Sequence, residues 1–201
     1  MVGDAVKMAV NLPRHYIELQ EVGSDWSYNT IWGDQMVKAI DDWVARIVPA
    51  GAIVLDLGCG EGRGVETLER LGCKAIGVDL CKVKLEVGIS RGLDLRYDDI
   101  HKLVSFGDKS VDYTFASHCL EHTLDIEMAL RSILRVTRRQ LLYIVPIRET
   151  QEFVAKYNPA HTSPIGDPSE LLNLLDSMLL RHESFEVSRS SRELWGIVDA
   201  I

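Results

Sequence analysis

IVLDLGCGEGRG, residues 53–64, is the stretch from which the rest of this chain is best read. Ile53, Val54, Leu55 and Leu57 around a single Asp56 read as a buried strand. The glycines at 58, 60, 62 and 64 then let the backbone turn sharply and come close to a ligand before a helix opens. The dinucleotide spacing G-x-G-x-x-G fails in both frames, because its third position is Arg63 in one and Val65 in the other. Asp56 lies before the glycines, at the C-terminal end of the strand. A carboxylate there repels a pyrophosphate and suits a ligand that carries ammonium and sulfonium groups; alternatively it holds the loop by accepting from backbone amides.

Outward from this stretch the chain alternates apolar strands with helical patterns. Strands are expected at Ala52–Leu57, Lys74–Asp79, Leu93–Tyr97, Val111–Ser117 and Gln140–Pro146, and helices near Gly62–Leu71, Lys82–Ser90 and Leu124–Thr137. Such alternation implies βαβ units and a largely parallel sheet covered on both faces. A helix over residues 34–48 precedes it, capped by Asp34, with Met36, Val37, Ile40, Trp43, Val44 and Ile47 on one face. Asp167, Pro168 and Glu170 form the start signal of a leucine-rich helix ending near Leu180. Two strands then follow, Ser184–Ser190 and Leu194–Asp199, with no room for a helix between them, so they form an antiparallel hairpin at the sheet's end. The expected fold is α/β: a Rossmann-like, doubly wound, mixed seven-stranded sheet with a C-terminal hairpin.

Acidic residues recur at the strand ends. Asp79 closes the second strand about twenty positions past the glycines, where a carboxylate can accept two ribose hydroxyls. Asp98 and Asp99 follow the third strand, where either can accept from an adenine amino group; each can also be a cap.

In this order, VLDLGCGEG, GVDL, DDI and SVDYTFASHCLEH resemble the class I S-adenosylmethionine (SAM)-dependent methyltransferases, most of all the type 11 branch that includes quinone-biosynthesis enzymes. The resemblance covers roughly residues 52–180. It implies SAM as cofactor, S-adenosylhomocysteine as product and a small-molecule methyl acceptor. It places Gly58 and Gly60, with Asp56 and Cys59 in the same loop, along the methionine part, and Asp79 with Leu80 at the ribose. Asp99 with Ile100, beside Asp98, faces adenine, while Ser117 and His118 flank the reacting sulfur. The chain departs from the family before the fifth strand, where a turn usually rich in Pro and Gly is Arg138-Arg139-Gln140, and no substrate signature is legible over Ile147–Gly166. A base is needed only for an acceptor such as a hydroxyl; the candidates are His118, His161 and Glu121, in that order. The competing readings are a SAM-binding module without turnover, a protein or RNA acceptor, and an NAD(P)-dependent oxidoreductase.

His118-Cys119-Leu120-Glu121-His122 also matches the zinc-peptidase pattern H-x-x-E-H. That chemistry needs both histidines on one helix face, whereas this motif follows a buried strand, so no metal is expected. Cys59, Cys73, Cys81 and Cys119 have neither metal-finger nor CxxC spacing and read as buried thiols. A net charge of −8 counts against a nucleic-acid partner, and Arg131, Arg135, Arg138 and Arg139 read as the end of a helix. The 201 residues suit one domain spanning 1–201, with residues 1–33 as an N-terminal segment whose Trp26, Tyr28 and Trp32 can close over the site. No stretch has the length of a membrane span, and Asp4 and Lys7 interrupt any leader, so the expected location is cytoplasmic. Oligomeric state is not legible.

Overall fold

The computed structural model of the protein describes residues 33–157, 159–187 and 192–200, with side chains from 38 onward. The aromatic N-terminal segment, Asp34, Met36 and Val37 therefore lie outside the described residues or side chains. The elements are α1 (Gly33–Ile47), β1 (Ile53–Leu57), α2 (Arg63–Arg70), β2 (Lys74–Asp79), α3 (Lys82–Ser90), β3 (Leu95–Tyr97) and β4 (Val111–Ser117). There follow α4 (Ile126–Val136), β5 (Thr137–Pro146), α5 (Gln151–Tyr157), α6 (Pro168–Ser177), β6 (His182–Val187) and β7 (Glu193–Asp199).

The seven strands form one sheet in the order β3-β2-β1-β4-β5-β7-β6. Pairs from β3 through β5 are parallel, and β7 runs antiparallel between β5 and β6. The chain therefore starts in the middle, winds out to β3 and crosses back to β4. The β1/β4 boundary is where the winding reverses, and there the loops leaving adjacent strand ends diverge and open a crevice.

Alternation along the strands supplies both covered faces. Leu55, Leu57, Leu141, Tyr143 and Val145 point to one side with Leu130 and Ile133 of α4 and Leu171 and Leu175 of α6. Val54, Tyr113, Phe115, Leu142 and Ile144 point to the other with Ile40 and Val44 of α1 and Val65 and Leu68 of α2. Neighbouring strand residues falling into opposite cores is the period-two signature of a sheet buried on both faces.

β3 and α4 each start two residues later than expected, and three further boundaries differ from the sequence reading. The fifth strand begins at Thr137, directly after α4, rather than at Gln140. Thr137 leaves the helix in an extended conformation, its hydroxyl bonding the Ile133 carbonyl at 2.6 Å and Thr114 Oγ1 at 3.1 Å. No Pro-Gly turn is needed because the last helical turn is anchored from inside the core. A bulge in β5 opposite Val111 and Tyr113 absorbs one extra residue, so Arg138 and Arg139 belong to the strand and not to a helix end. Arg138 pairs with Asp112 at 3.2 Å, and Arg135 spans to Asp108 and to the carbonyls of Lys102, Leu103 and Phe106. Arg135 thus anchors a loop, Arg138 ties β5 to β4, and Arg131 pairs with Glu127 on its own helix.

Helix α6 has the expected capping box from Asp167 and Glu170 with Pro168 in its first turn, but stops at Ser177 because Leu179 turns left-handed at φ 58°. β6 accordingly starts at His182, two residues before the expected Ser184. α5 was not legible in advance: it lies in the stretch without a readable signature. No helix among the described residues is long and apolar enough to cross a membrane.

Candidate active site

At the end of β1 the chain takes positive φ at Gly58, Gly60 and Gly62 (66°, 54° and 88°), a path that side-chain-bearing residues avoid. Gly58 is also crowded: a Cβ there would sit 2.9 Å from Cys119 Sγ. The glycine loop is thus pressed against the segment leaving β4, across the point where the winding reverses.

Two carboxylates flank this loop and behave differently. Asp79 is the loop's anchor: one oxygen accepts from Gly60 N at 2.8 Å and the other from Cys81 N at 2.7 Å. Asp56 is 4% exposed, and its carboxyl is pushed up to about 8 by burial and then by the negative charge of Asp79. Of the two roles open to Asp56, holding backbone amides is therefore taken by Asp79. Neither Asp56 nor Asp79 forms an ion pair with a basic side chain among the described residues. Cys59 and Cys119 are buried next to these carboxylates, which with desolvation push both thiols well up and make them poor nucleophiles.

After β3, Asp98 and Asp99 divide their roles. Asp98 is fully engaged by the backbone, accepting from Asp99 N, Val104 N and Ser105 N at 2.8, 3.3 and 2.9 Å. It shapes the loop. Asp99 Oδ1 accepts from His101 N at 3.0 Å and lies 2.6 Å from His101 Nδ1, while Oδ2 is buried without a partner. Asp99 is therefore the one of the two with an acceptor still available, and Ile100 beside it is buried.

Beyond β4, His118 stands at φ 51° with its backbone amide bonded to Ile144 O at 2.8 Å. Its Nε2 lies 2.7 Å from Glu193 Oε1, and its Nδ1 lies 3.5 Å from Glu121 Oε1, an ion-pair separation too long for a strong hydrogen bond. Burial opposes charging this ring, yet Glu121 and Glu193 together outweigh it and raise His118 to about 9. At neutral pH it is an imidazolium. A free imidazole titrating near the ordinary value, which a general base in this position requires, is not what the geometry provides. Ser117 precedes it as the last residue of β4.

Residues 120–122 form one 3₁₀ turn, so the H-x-x-E-H histidines do not share a helix face. His122 joins a different partner. The 160–163 loop is strapped to this turn by Ser163 N to Glu121 O (2.9 Å), Thr162 Oγ1 to Thr123 O (2.7 Å), Ser163 Oγ to Thr123 O (2.7 Å) and a contact of His122 Nδ1 with Ala160 O (3.1 Å). The strap sets His161 edge-on to His122, with centroids 4.6 Å apart. His161 Nδ1 lies 2.7 Å from Glu149 Oε2, and both side chains are about nine-tenths buried. Contrary to a solvated loop histidine, His161 is fixed. Donor atoms of Glu121, His122 and His161 fall within 4.8 Å of one another, a set able to hold a divalent ion, although no metal was expected from the sequence. Both Glu121 oxygens are buried without a hydrogen bond. Burial disfavours its charge, but His118, His122 and His161 hold it below the usual carboxylate range.

The structure thus gathers Asp56, Gly58, Cys59, Gly60 and Asp79 on one side of the β1/β4 crevice and His118, Glu121 and His161 on the other, with Cys119 between them. Glu149, Glu193, His101 and His122 complete the arrangement and had no separate signal; a lone acid in the apolar stretch around Leu194 and Trp195 was the nearest to one.

Comparison with known proteins agrees with this fold. The methyltransferase domain family matches residues 55–144. The chain is 30% identical over 122 residues to the bifunctional methionine biosynthesis protein MetXA/MetW of Rhodopirellula baltica, covering 54% of this chain and 19% of that protein. It is 29% identical over 171 residues to the ubiquinone biosynthesis O-methyltransferase of Xanthomonas oryzae pv. oryzae, covering 75% of this chain and 71% of that one. In three dimensions it resembles geranyl diphosphate C-methyltransferase of Streptomyces coelicolor A3(2), solved with Mg²⁺, geranyl diphosphate and S-adenosyl-L-homocysteine, with a TM-score of 0.72 and 12% identity over 94% of this chain and 99% of that chain. By motif order, sheet topology and matched domain, this chain is similar to the class I SAM-dependent methyltransferases.

Proposed function

We propose that the protein transfers the methyl group of SAM to a hydroxyl of a small-molecule acceptor. The observation that carries the cofactor reading is the acidic pair Asp56 and Asp79 astride the glycine loop, in which burial keeps Asp56 near 8. Ionising a buried carboxyl without a counter-charge is costly, so Asp56 holds its proton until a ligand with an ammonium and a sulfonium supplies positive charge. In this reading Gly58, Cys59 and Gly60 line the methionine part, Asp79 and Leu80 the ribose, and Asp99 with Ile100 the adenine; Ser117 lies beside the sulfur.

When bound, SAM supplies a methyl on a sulfur that is already a good leaving group, so the protein's tasks are alignment, exclusion of water and removal of one proton. Glu149 supports His161 as the proton acceptor. A carboxylate only accepts, so Nδ1 of His161 carries hydrogen toward Glu149 and Nε2 is left basic. With SAM and a hydroxyl acceptor bound, Nε2 of His161 would take the proton that the hydroxyl loses on methylation. The buried Glu121 charge nearby steadies the imidazolium that forms. His118, already an imidazolium between two carboxylates, orients Glu121 instead of taking the proton.

Similarity to proteins named as O-methyltransferases favours oxygen over nitrogen or carbon as the acceptor atom. Thermal melts with SAM, S-adenosylhomocysteine and NAD, followed by mass spectrometry of a phenol and alcohol panel incubated with labelled SAM, test the proposal. Stabilisation by S-adenosylhomocysteine and a labelled ether product are expected. Stabilisation by NAD alone would overturn it, and binding without any labelled product would leave a SAM-binding module.

A further inference from the structure

We infer that His101 is a positioning residue: it fixes the Asp99 carboxylate for the adenine amino group and ties that end of the site to the segment leaving β4. The inference rests on the cofactor reading above and goes beyond it, because neither the motifs nor the comparisons give His101 a role.

Asp99 is 1% exposed and His101 6% exposed, so water contributes little to either. Leu124 N donates to His101 Nε2 at 3.1 Å. A backbone amide is always a donor, so Nε2 must be an acceptor and the ring proton must reside on Nδ1. That nitrogen is 2.6 Å from Asp99 Oδ1, which also accepts from the His101 amide at 3.0 Å. Chemistry alone therefore settles the tautomer: the ring donates from Nδ1 to Asp99 Oδ1 and accepts from the backbone at Nε2. One Asp99 oxygen is held by two donors from the same residue, and the carboxylate cannot rotate without giving up both.

The other oxygen, Oδ2, is buried and without a partner. A buried acceptor left unmade is unfavourable, and the structure keeps it aimed in a single direction by the grip on Oδ1. An exocyclic amino group is the donor the cofactor reading brings to this end of the site. The same ring reaches Leu124, two residues past His122, so the adenine loop and the turn that carries Glu121 and His122 are joined through one imidazole.

Asn and Gln separate the two halves of this role. The amide nitrogen of Asn sits where Nδ1 sits and can still donate to Asp99; the longer Gln places its amide near Nε2 and cannot. The probe is S-adenosylhomocysteine against S-inosylhomocysteine, in which an oxo group replaces the amino donor, with both affinities measured by calorimetry. Wild type should prefer the adenosyl compound by about tenfold or more. His101→Asn should keep most of that preference, and His101→Gln and His101→Phe should reduce it to about threefold or less. A preference equal to wild type in His101→Gln would overturn the inference, as would loss of preference in Asn and Gln alike. If wild type binds neither compound, the cofactor reading fails; if it binds both equally, that reading survives and only the role of Asp99 and His101 falls.

Discussion

Glu193 Oε1 lies 2.7 Å from His118 Nε2, so the antiparallel strand β7 fixes the residue that leaves the parallel strand β4. The second Glu193 oxygen accepts from Trp195 Nε1 at 2.9 Å, and the glutamate is fully buried. A hairpin that looks like an appendage to the sheet thus sets the charge state at the site.

This pairing should appear in the pH dependence of stability. Unfolded, the imidazole titrates near 6.5; folded, it is held at about 9 by Glu121 and Glu193. The folded state binds the proton more tightly, so the stabilisation is complete below the unfolded value and is lost as pH rises through about 9. The amount is about 2–3 kcal/mol. Urea melts at pH 6, 8 and 10 on wild type and Glu193→Gln would measure it, the variant losing stability chiefly at the acidic end. Parallel curves for the two proteins would refute the assignment.

Cofactor binding should release a proton from Asp56. Below about 8 this carboxyl is protonated in the free protein, and a cationic ligand favours its ionised form. Affinity for SAM should therefore rise with pH up to that value, by at most about tenfold per pH unit. Calorimetry at pH 7 in two buffers of different ionisation enthalpy reads the released proton directly. Asp56→Asn should abolish the buffer difference; an unchanged difference would place the proton elsewhere.

Asp79 and Asp98 should fail in different ways. Asp79→Ala should weaken SAM binding by about 2–3 kcal/mol, from lost charge-assisted hydrogen bonds to the ribose and from loosening of the loop whose Gly60 and Cys81 amides it holds. Asp98→Ala strands three backbone amides and should cost about 2–4 kcal/mol of folding stability. Chemical denaturation and calorimetry on both variants separate binding from folding. Unaltered affinity in Asp79→Ala would remove the ribose assignment.

His161→Ala should lower turnover by about 10²–10⁴ while leaving the affinity for S-adenosylhomocysteine within about twofold of wild type. Glu149→Gln should lower it less, because the amide can still accept from Nδ1–H but stabilises the imidazolium poorly. His118→Asn should retain more activity than His161→Ala. Turnover should survive chelation by EDTA. Activity that returns only on adding a divalent cation would make His161 a metal ligand rather than a base.

Residues 53–64 and the acids at later strand ends contain enough to place the sheet and the cofactor side of the site. That information is local: a strand's period, a glycine's freedom at positive φ and a carboxylate within two residues of a strand end are all written within short windows. The same is true of the capping box that starts α6. The α4/β5 junction was misplaced because Thr137 ends its helix through a hydrogen bond to Thr114, a contact 23 positions away.

What the sequence by itself determined is the class I architecture and the acidic glycine loop, since both follow from backbone preferences and the alternation of apolar side chains. Only the tertiary structure decided which partners surround each ionisable group. His118 and His161 are both histidines close to glutamates, and nothing local distinguishes them. His118 becomes a cation because β7 brings Glu193 against it from 75 positions away, whereas His161 is oriented by Glu149 once its loop is strapped to Glu121 and Thr123. Protonation state depends on charge and desolvation within a few ångströms, and folding assembles those surroundings from distant parts of the chain.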